Sequence, residues 1–217
     1  MLIYQGFQQA KGSERNGNEQ ISPYNGCIPD KHYKELHKLI DKQGNSMNIQ
    51  LRQATEEQID TIMDVYIRCK HDLDEKGLLQ WNDHYPSREY FEEELGDGNL
   101  YVLMVDDELA GSATLNEWQS PEWSDIPWKL GNEWVIHALF LDPLQQGNGL
   151  GTVFMKKCEE LAGEKGYESI RLDAYSRNTG ANALYEKIGY EYRGSVYFTS
   201  KPEGHQEYRC YEKEVTL

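Results

Sequence analysis

Nowhere in its 217 residues does the chain hold an uninterrupted apolar run approaching the ~20 that a membrane span requires. Met1 to Ala10 lack both a basic start and an apolar core, so no secretion signal is expected. The four cysteines, Cys27, Cys69, Cys158 and Cys210, are scattered and include no C-x-x-C pair. That argues against a zinc or redox motif and for reduced thiols in the cytoplasm. The six histidines show no H-E-x-x-H spacing, and no metal site is expected. Positive charge is also scarce: 22 Lys and Arg stand against 37 Asp and Glu, a net charge of −15. The deficit is uneven. Residues 1–47 carry six basic and five acidic side chains, and the remainder carries 16 and 32. Such a body repels a phosphate backbone, so nucleic-acid binding is not expected, and it attracts cationic partners.

Apolar material is sufficient for one core, with hydrophobic residues at 38% and aromatics at 12%. The length suits one domain, 48–217, behind an extension, 1–47. Residues 10–29 are rich in Gly, Asn, Ser and Gln and read as loop or disorder. A short helix is expected over Lys31 to Lys42, stopped by Gly44-Asn45-Ser46. Met47 opens a more regular pattern and could be an alternative translation start.

From there strands and helices alternate. Asn48 to Gln53 reads as a strand. Thr55 and Gln58 form a capping box before a helix with Ile59, Ile62, Met63, Tyr66 and Ile67 on one stripe. Gly77 to Pro86 is a loop, and Ser87 caps a second helix through Leu95. Leu100 to Val105 and Leu109 to Leu115 form a hairpin. A long loop with Trp118, Trp123 and Trp128 follows, as a lid or as cover for the sheet. Trp134 to Leu141 is an apolar strand, and Gly149 to Glu164 a helix with Val153, Phe154, Cys158 and Leu161 inward. Ser169 to Ala174, Thr179 to Ile188, Tyr190 to Phe198 and Glu207 to Val215 complete a β-α-β-β ending, the last two strands paired. The fold class is α/β (α+β), a mixed sheet flanked by helices.

The most informative stretch runs from Leu139 to Gly151, an apolar strand passing through a glycine-rich turn into a helix. Unpaired N–H groups at a helix start form an anion site for phosphate or pyrophosphate, and glycines let backbone approach the ligand. No Gly-Lys-Ser/Thr closes the turn, so it is not a P-loop, and G-x-G-x-G is not the dinucleotide pattern.

Gln146-Gly147-Asn148-Gly149-Leu150-Gly151 fits Q/R-x-x-G-x-G/A and resembles the acetyl-CoA pyrophosphate loop of the GNAT superfamily of N-acetyltransferases. A second block, Asn178-x-x-Ala181-x-x-Leu184-Tyr185-Glu186-Lys187-x-Gly189-Tyr190, is similar to that family's N-x-x-A-x-x-L-Y-x-x-x-G-F signature, with Tyr190 in place of Phe. The likeness covers residues 48–215. It implies a centrally splayed sheet of about seven strands and acetyl-CoA as acyl donor. The cofactor would lie along Leu139, Phe140 and Leu141, then against Gln146, Gly147, Asn148, Gly149, Leu150, Gly151 and Thr152, with Asn178, Ala181 and Tyr185 on its other side.

The implied chemistry is direct attack of a neutral amine on the thioester, without an acyl-enzyme. Tyr185, with an ordinary pKa near ~10, is the expected general acid for the departing thiolate. The glutamate some relatives use as base has Val135 in its place. Alternation puts Glu133, Val135 and His137 on one face if no bulge intervenes, so Glu133 or His137 could substitute. Asp173 ends the neighbouring strand. It is a candidate substrate contact, with hydrogen bonds to Ser176 or to the following turn as the plainer reading. For the acceptor pocket, the loop residues Trp81, Asp83, His84 and Tyr85 could hold a cation by π contact and orient an amine, or staple two helices together. The expected acceptor is a primary amine on a small cationic molecule or peptide, with a homodimer left open. The alternative is a non-catalytic acetyl-CoA-binding or protein-interaction module of the same fold.

Overall fold

A computed structural model describes residues 47–82, 84–147 and 149–215. The extension up to residue 46, with its expected helix, lies outside the described residues, as do Asp83 and Asn148.

Local signals set most element boundaries. Strand β1 (Ile49–Gln53) leads to Thr55, whose N–H donates to Gln58 Oε1 at 3.1 Å, and helix α1 (Ile59–Glu75) follows. Its buried stripe is Ile59, Ile62, Val65, Tyr66 and Cys69. Ile67, expected on that stripe, is exposed, because the i, i+3, i+4 progression through 62, 66 and 69 leaves position 67 on the opposite face. Ser87 caps helix α2 (Arg88–Gly96) by accepting from Tyr90 N–H. The hairpin is β2 (Leu100–Val105) and β3 (Glu108–Asn116). Then come β4 (Glu133–Leu141), α3 (Leu150–Glu164), β5 (Ser169–Tyr175), α4 (Thr179–Lys187), β6 (Glu191–Tyr197) and β7 (Glu207–Glu214).

The seven strands form one sheet in the order β1-β2-β3-β4-β5-β7-β6, so β7 inserts between β5 and β6. Every neighbouring pair is antiparallel except β4 and β5. That parallel pair is short. It runs from Glu133 opposite Ser169 to Ile136 opposite Leu172 and stops. The cause lies in β4. Thr114 of β3 faces His137, but Ser112 faces Phe140, so β4 holds one extra residue between them. Ala138 takes it up with φ +44°, a bulge that re-aims the strand. Alternation therefore keeps Glu133, Val135 and His137 on one face, and the bulge intervenes just beyond His137.

Two helices cover each side of the sheet unequally. On one face α3 and α4 pack Phe154, Met155, Cys158 and Tyr185 against Leu103, Leu115, Ile136 and Leu172. On the other, α1 and α2 cover only part of the sheet, with Ile62, Tyr66 and Phe91 against Val102 and Phe140. The rest of that face is covered by the loop before β4, whose Trp123 packs with Val135, Tyr175, Val196, Tyr208 and Cys210.

A buried carboxylate anchors this loop. Glu212 is fully buried and accepts from Lys129 N–H (3.0 Å), Leu130 N–H (3.2 Å), Arg171 Nε (3.1 Å) and Arg193 Nε (2.9 Å). Burial pushes its pKa up, but these four donors prevail and hold it below the ordinary value. A depressed carboxyl contributes stability above its unfolded pKa and loses it as pH falls through the folded one. Glu212→Gln is expected to cost about 3 kcal/mol at neutral pH by leaving two buried guanidinium groups short of charge. Urea unfolding should show that deficit narrowing as pH falls below the carboxylate range. An unchanged midpoint at neutral pH would overturn the assignment.

Candidate active site

The turn after β4 is clamped before it opens. Asp142 is buried, its N–H donates to Ala110 O (2.7 Å), and its carboxylate accepts from Leu144 N–H (3.0 Å). Arg68 of α1 closes on the same carboxylate at 2.5 Å. Gly147 and Gly149 then take φ of +88° and +78°, a left-handed conformation that a Cβ penalises. The first intrahelical bond of α3 is Val153 N–H to Gly149 O, at 3.2 Å. The N–H groups of Leu150, Gly151 and Thr152 therefore have no partner within the helix and stand at its positive end. Gly151 has a second role. A Cβ there would lie 3.2 Å from Leu184 Cδ2, so its absence lets α3 and α4 meet close to the turn. The two motifs read from the sequence thus touch in space.

The other expected cofactor residues divide between backbone and side-chain roles. Phe140 and Leu150 are buried with their side chains in the core, which leaves only their backbone for a ligand. Leu139 and Leu141 are half-buried beyond the last β4–β5 pair. Gln146 turns back to donate Nε2 to Leu141 O (3.0 Å). Asn178 caps α4 by accepting from Ala181 N–H (3.1 Å) and donates Nδ2 to Gln80 Oε1 (3.0 Å). Tyr185 is buried, with its ring against Tyr190 and Tyr211, and its hydroxyl has no hydrogen-bond partner among the described residues. Burial first, then the charges of Asp173, Cys158 and Tyr211, push its pKa well above the ordinary value. It is a protonated phenol at any working pH.

On the opposite face the strands present His137 and Asp173 one step beyond the last β4–β5 pair, flanking the mouth of the fork. His137 Nε2 lies 3.1 Å from both Asn116 Oδ1 and Trp118 O. Both are acceptors, because Asn116 Oδ1 also takes Trp118 N–H while Nδ2 donates to buried Glu94. Nε2 therefore carries the proton and Nδ1 the lone pair. Burial, opposed by the Trp118 bond, pushes His137 down to about 4. The expected base thus stands at the mouth as a neutral imidazole. Glu133, the other expected base, is engaged elsewhere. Its carboxylate is ion-paired to Arg171 at 3.0 Å and bonded by Gln119, at the closed end of the fork.

Asp173 is held differently from the sequence expectation. Its partner is Trp123 Nε1 (3.1 Å), in place of the expected Ser176 or turn N–H groups. Burial pushes its pKa up to about 6, against the pull of Trp123 and of Lys201. In the acceptor loop, Trp81 packs against Tyr66 (5.4 Å) and Phe140 (6.1 Å) and so acts as the staple. Tyr85 rests on Tyr90 and carries Lys201 Nζ 5.4 Å from its ring centre, so the cation there is the protein's own. The His84 backbone N–H is tied to Asn82 Oδ1 (2.9 Å) in a tight turn, and the residue is exposed. Sequence reading missed Lys201, Gln80 and Tyr208. A single lysine in a Ser-Lys-Pro-Glu-Gly loop carries no motif, and only folding brings it to Gln80.

The profile of the acetyltransferase (GNAT) family matches residues 59–190. An uncharacterised N-acetyltransferase of Bacillus subtilis (strain 168), YesJ, is 25% identical over 171 residues, covering 75% of this chain and 88% of that protein. A GNAT-family acetyltransferase structure from Streptococcus agalactiae 2603 superposes with a TM-score of 0.68 at 22% identity, covering 81% of this chain and 98% of that one. YncA of Salmonella typhimurium, solved with its cofactor acetyl-CoA, superposes at 0.59 with 15% identity, covering 78% and 95%.

The raised Asp173 pKa carries a stability signature. The folded chain holds this proton more tightly than the unfolded one, whose carboxyl has the ordinary value of 3.8. Between the two values stability from this group falls as pH rises, and above about 6 its ionisation is a standing cost. Asp173→Asn, still able to accept from Trp123, is expected to melt higher than wild type at about pH 7.5 and level with it at about pH 4. A lower melting point at the higher pH would overturn the assignment.

Proposed function

The chain belongs to the acetyltransferase (GNAT) family, and we propose that it moves the acetyl group of acetyl-CoA to a primary amine arriving as its ammonium, on a small molecule or a peptide. The supporting observation is the fork. It opens between an anion site at the start of α3 and a mouth flanked by Asp173, with buried Tyr185 on the α4 side. The residues fit the donor: free N–H groups and left-handed glycines suit a pyrophosphate, and unpaired β4 edge suits an extended amide-bearing arm.

Bound there, acetyl-CoA supplies an activated acetyl thioester, whose C–S bond breaks as the C–N bond to the amine forms. Asp173, ionised above about pH 6, draws the ammonium to the mouth and accepts its proton through water. His137, neutral with Nδ1 bare, orients the amine by accepting a hydrogen bond. Tyr185 returns a proton to the sulfur. Residues 48–217 form the catalytic domain, and 1–47 an appendage to it. The buried free thiols of Cys69, Cys158 and Cys210 suit a reducing, cytoplasmic setting.

Two measurements test this reading. Acetyl-CoA at ~100 times its dissociation constant is expected to add about 2.7 kcal/mol of stability, with NAD and ATP adding none. Tyr185→Phe is expected to keep that stabilisation and lose about 100-fold in kcat. Equal stabilisation by all three ligands would sink the donor assignment, and full turnover by the variant would sink the acid.

A further inference from the structure

Asp173 and Lys201 carry opposite charges and feel each other's field, yet neither enters a salt bridge among the described residues. Each is tethered elsewhere by a neutral group. Trp123 Nε1 donates to the Asp173 carboxylate at 3.1 Å. Lys201 Nζ donates to Gln80 O at 2.8 Å, and Tyr208 hydroxyl donates to the same carbonyl at 3.0 Å. The rings of Tyr85 and Tyr208 lie 5.4 and 5.7 Å from the ammonium and prefer it there. Gln80 itself is fixed by Asn178 at the start of α4.

This arrangement leaves a half-buried ammonium with one strong acceptor, two ring faces and no anion. Burial lowers its pKa, the usual sign of a cation short of compensation. A flexible lysine free to move would swing onto the nearby carboxylate. Tyr208, whose ring lies under the ammonium, pairs with Tyr175 two residues along β5 from Asp173, so the tethered charges stand on one face of neighbouring strands, and a molecule carrying the complementary pair would bridge them. The single ammonium matches one monoanion, and the acidic body of the chain disfavours a dianion.

We propose that the acceptor is an amino-acid-like zwitterion, a primary amine that also bears a carboxylate, with its amine at Asp173 beside the fork and its carboxylate on Lys201. This rests on the reading of the fork as an acetyl-transfer site and narrows it. Lys201 selects for the carboxylate and turns away a second positive charge, so polyamines are poor acceptors despite the acidic surface.

The test uses the full chain with acetyl-CoA and α- and ω-amino acids, each paired with its own carboxamide, and with the matching diamines. CoA thiol release gives kcat and KM separately. Acids are expected to exceed their amides by about 10- to 100-fold in kcat/KM, with the difference in KM. Lys201→Met is expected to bring the acid-to-amide ratio to about one, and Lys201→Arg to restore part of it. A lysine that only staples the loop would lower both classes together and leave the ratio standing, which would overturn the proposal. So would wild-type indifference between acids and amides. If no probe is acetylated, calorimetry on the acetyl-CoA-loaded protein separates the two readings. Lys201-dependent binding of the acids supports this proposal while removing the transferase reading, and no such binding removes this proposal.

Discussion

The site depends on one misfit in the sheet. Strands β4 and β5 pair over four rungs and then part, because β4 carries a residue that β3 cannot match. Alanine at φ +44° costs on the order of 1–3 kcal/mol, and such strain persists only where its surroundings over-determine it. Here β3 grips β4 on both sides of the bulge, at Thr114–His137 and Ser112–Phe140. Gly111 lets β3 approach β4, since a Cβ there would strike Phe140 O. Arg68 and Asp142 then fix where the bent strand must end. The parallel pairing ends at Ile136, two residues before the bulged Ala138.

That opening divides the chemistry. On the helical side are the start of α3, with its free N–H groups, and the buried Tyr185 phenol, which its surroundings keep protonated. On the other side are Asp173 and His137 at the mouth, and Lys201 against the rings of Tyr85 and Tyr208. Burial pushes the Asp173 carboxyl up to about 6 on one side and keeps the Tyr185 phenol protonated on the other. Fixing each group in a different protonation state by its surroundings is how one fold runs proton donation and proton acceptance together.

The buried ion cluster serves the same site at one remove. Arg171 binds Glu212 and Glu133, and its guanidinium lies 4.6 Å from the ring centre of Trp128. Through Lys129 and Leu130 the cluster pins the loop that carries Trp123, and Trp123 in turn holds Asp173. A buried carboxylate between two arginines adds little net stability over a well-packed apolar substitute, but it has essentially one satisfying geometry. That suits a loop whose position decides where the Asp173 carboxylate points.

Much of this was legible along the chain. Capping residues, alternation and glycine turns placed the strands and helices within a residue or two, because those signals act over a few bonds. Gln146 to Gly151 and Asn178 to Tyr190 marked the turn and the helix that meet, because positive φ at Gly147 and Gly149 and close packing at Gly151 call for glycine locally. Side-chain partnerships were another matter. The alternation that put His137 on the acceptor face could not reveal that Asn116 and Trp118 fix its tautomer. It gave no warning that Arg171 neutralises Glu133 or that Trp123 reaches Asp173 across 50 positions. Nor could it bring Lys201 to Gln80, 121 positions away. The sequence by itself determined the elements, the glycine turn that opens α3 and the family. Tertiary structure alone decided which titratable groups are ion-paired, buried or held by neutral partners, because pKa and ion pairing depend on distances that chain order does not encode.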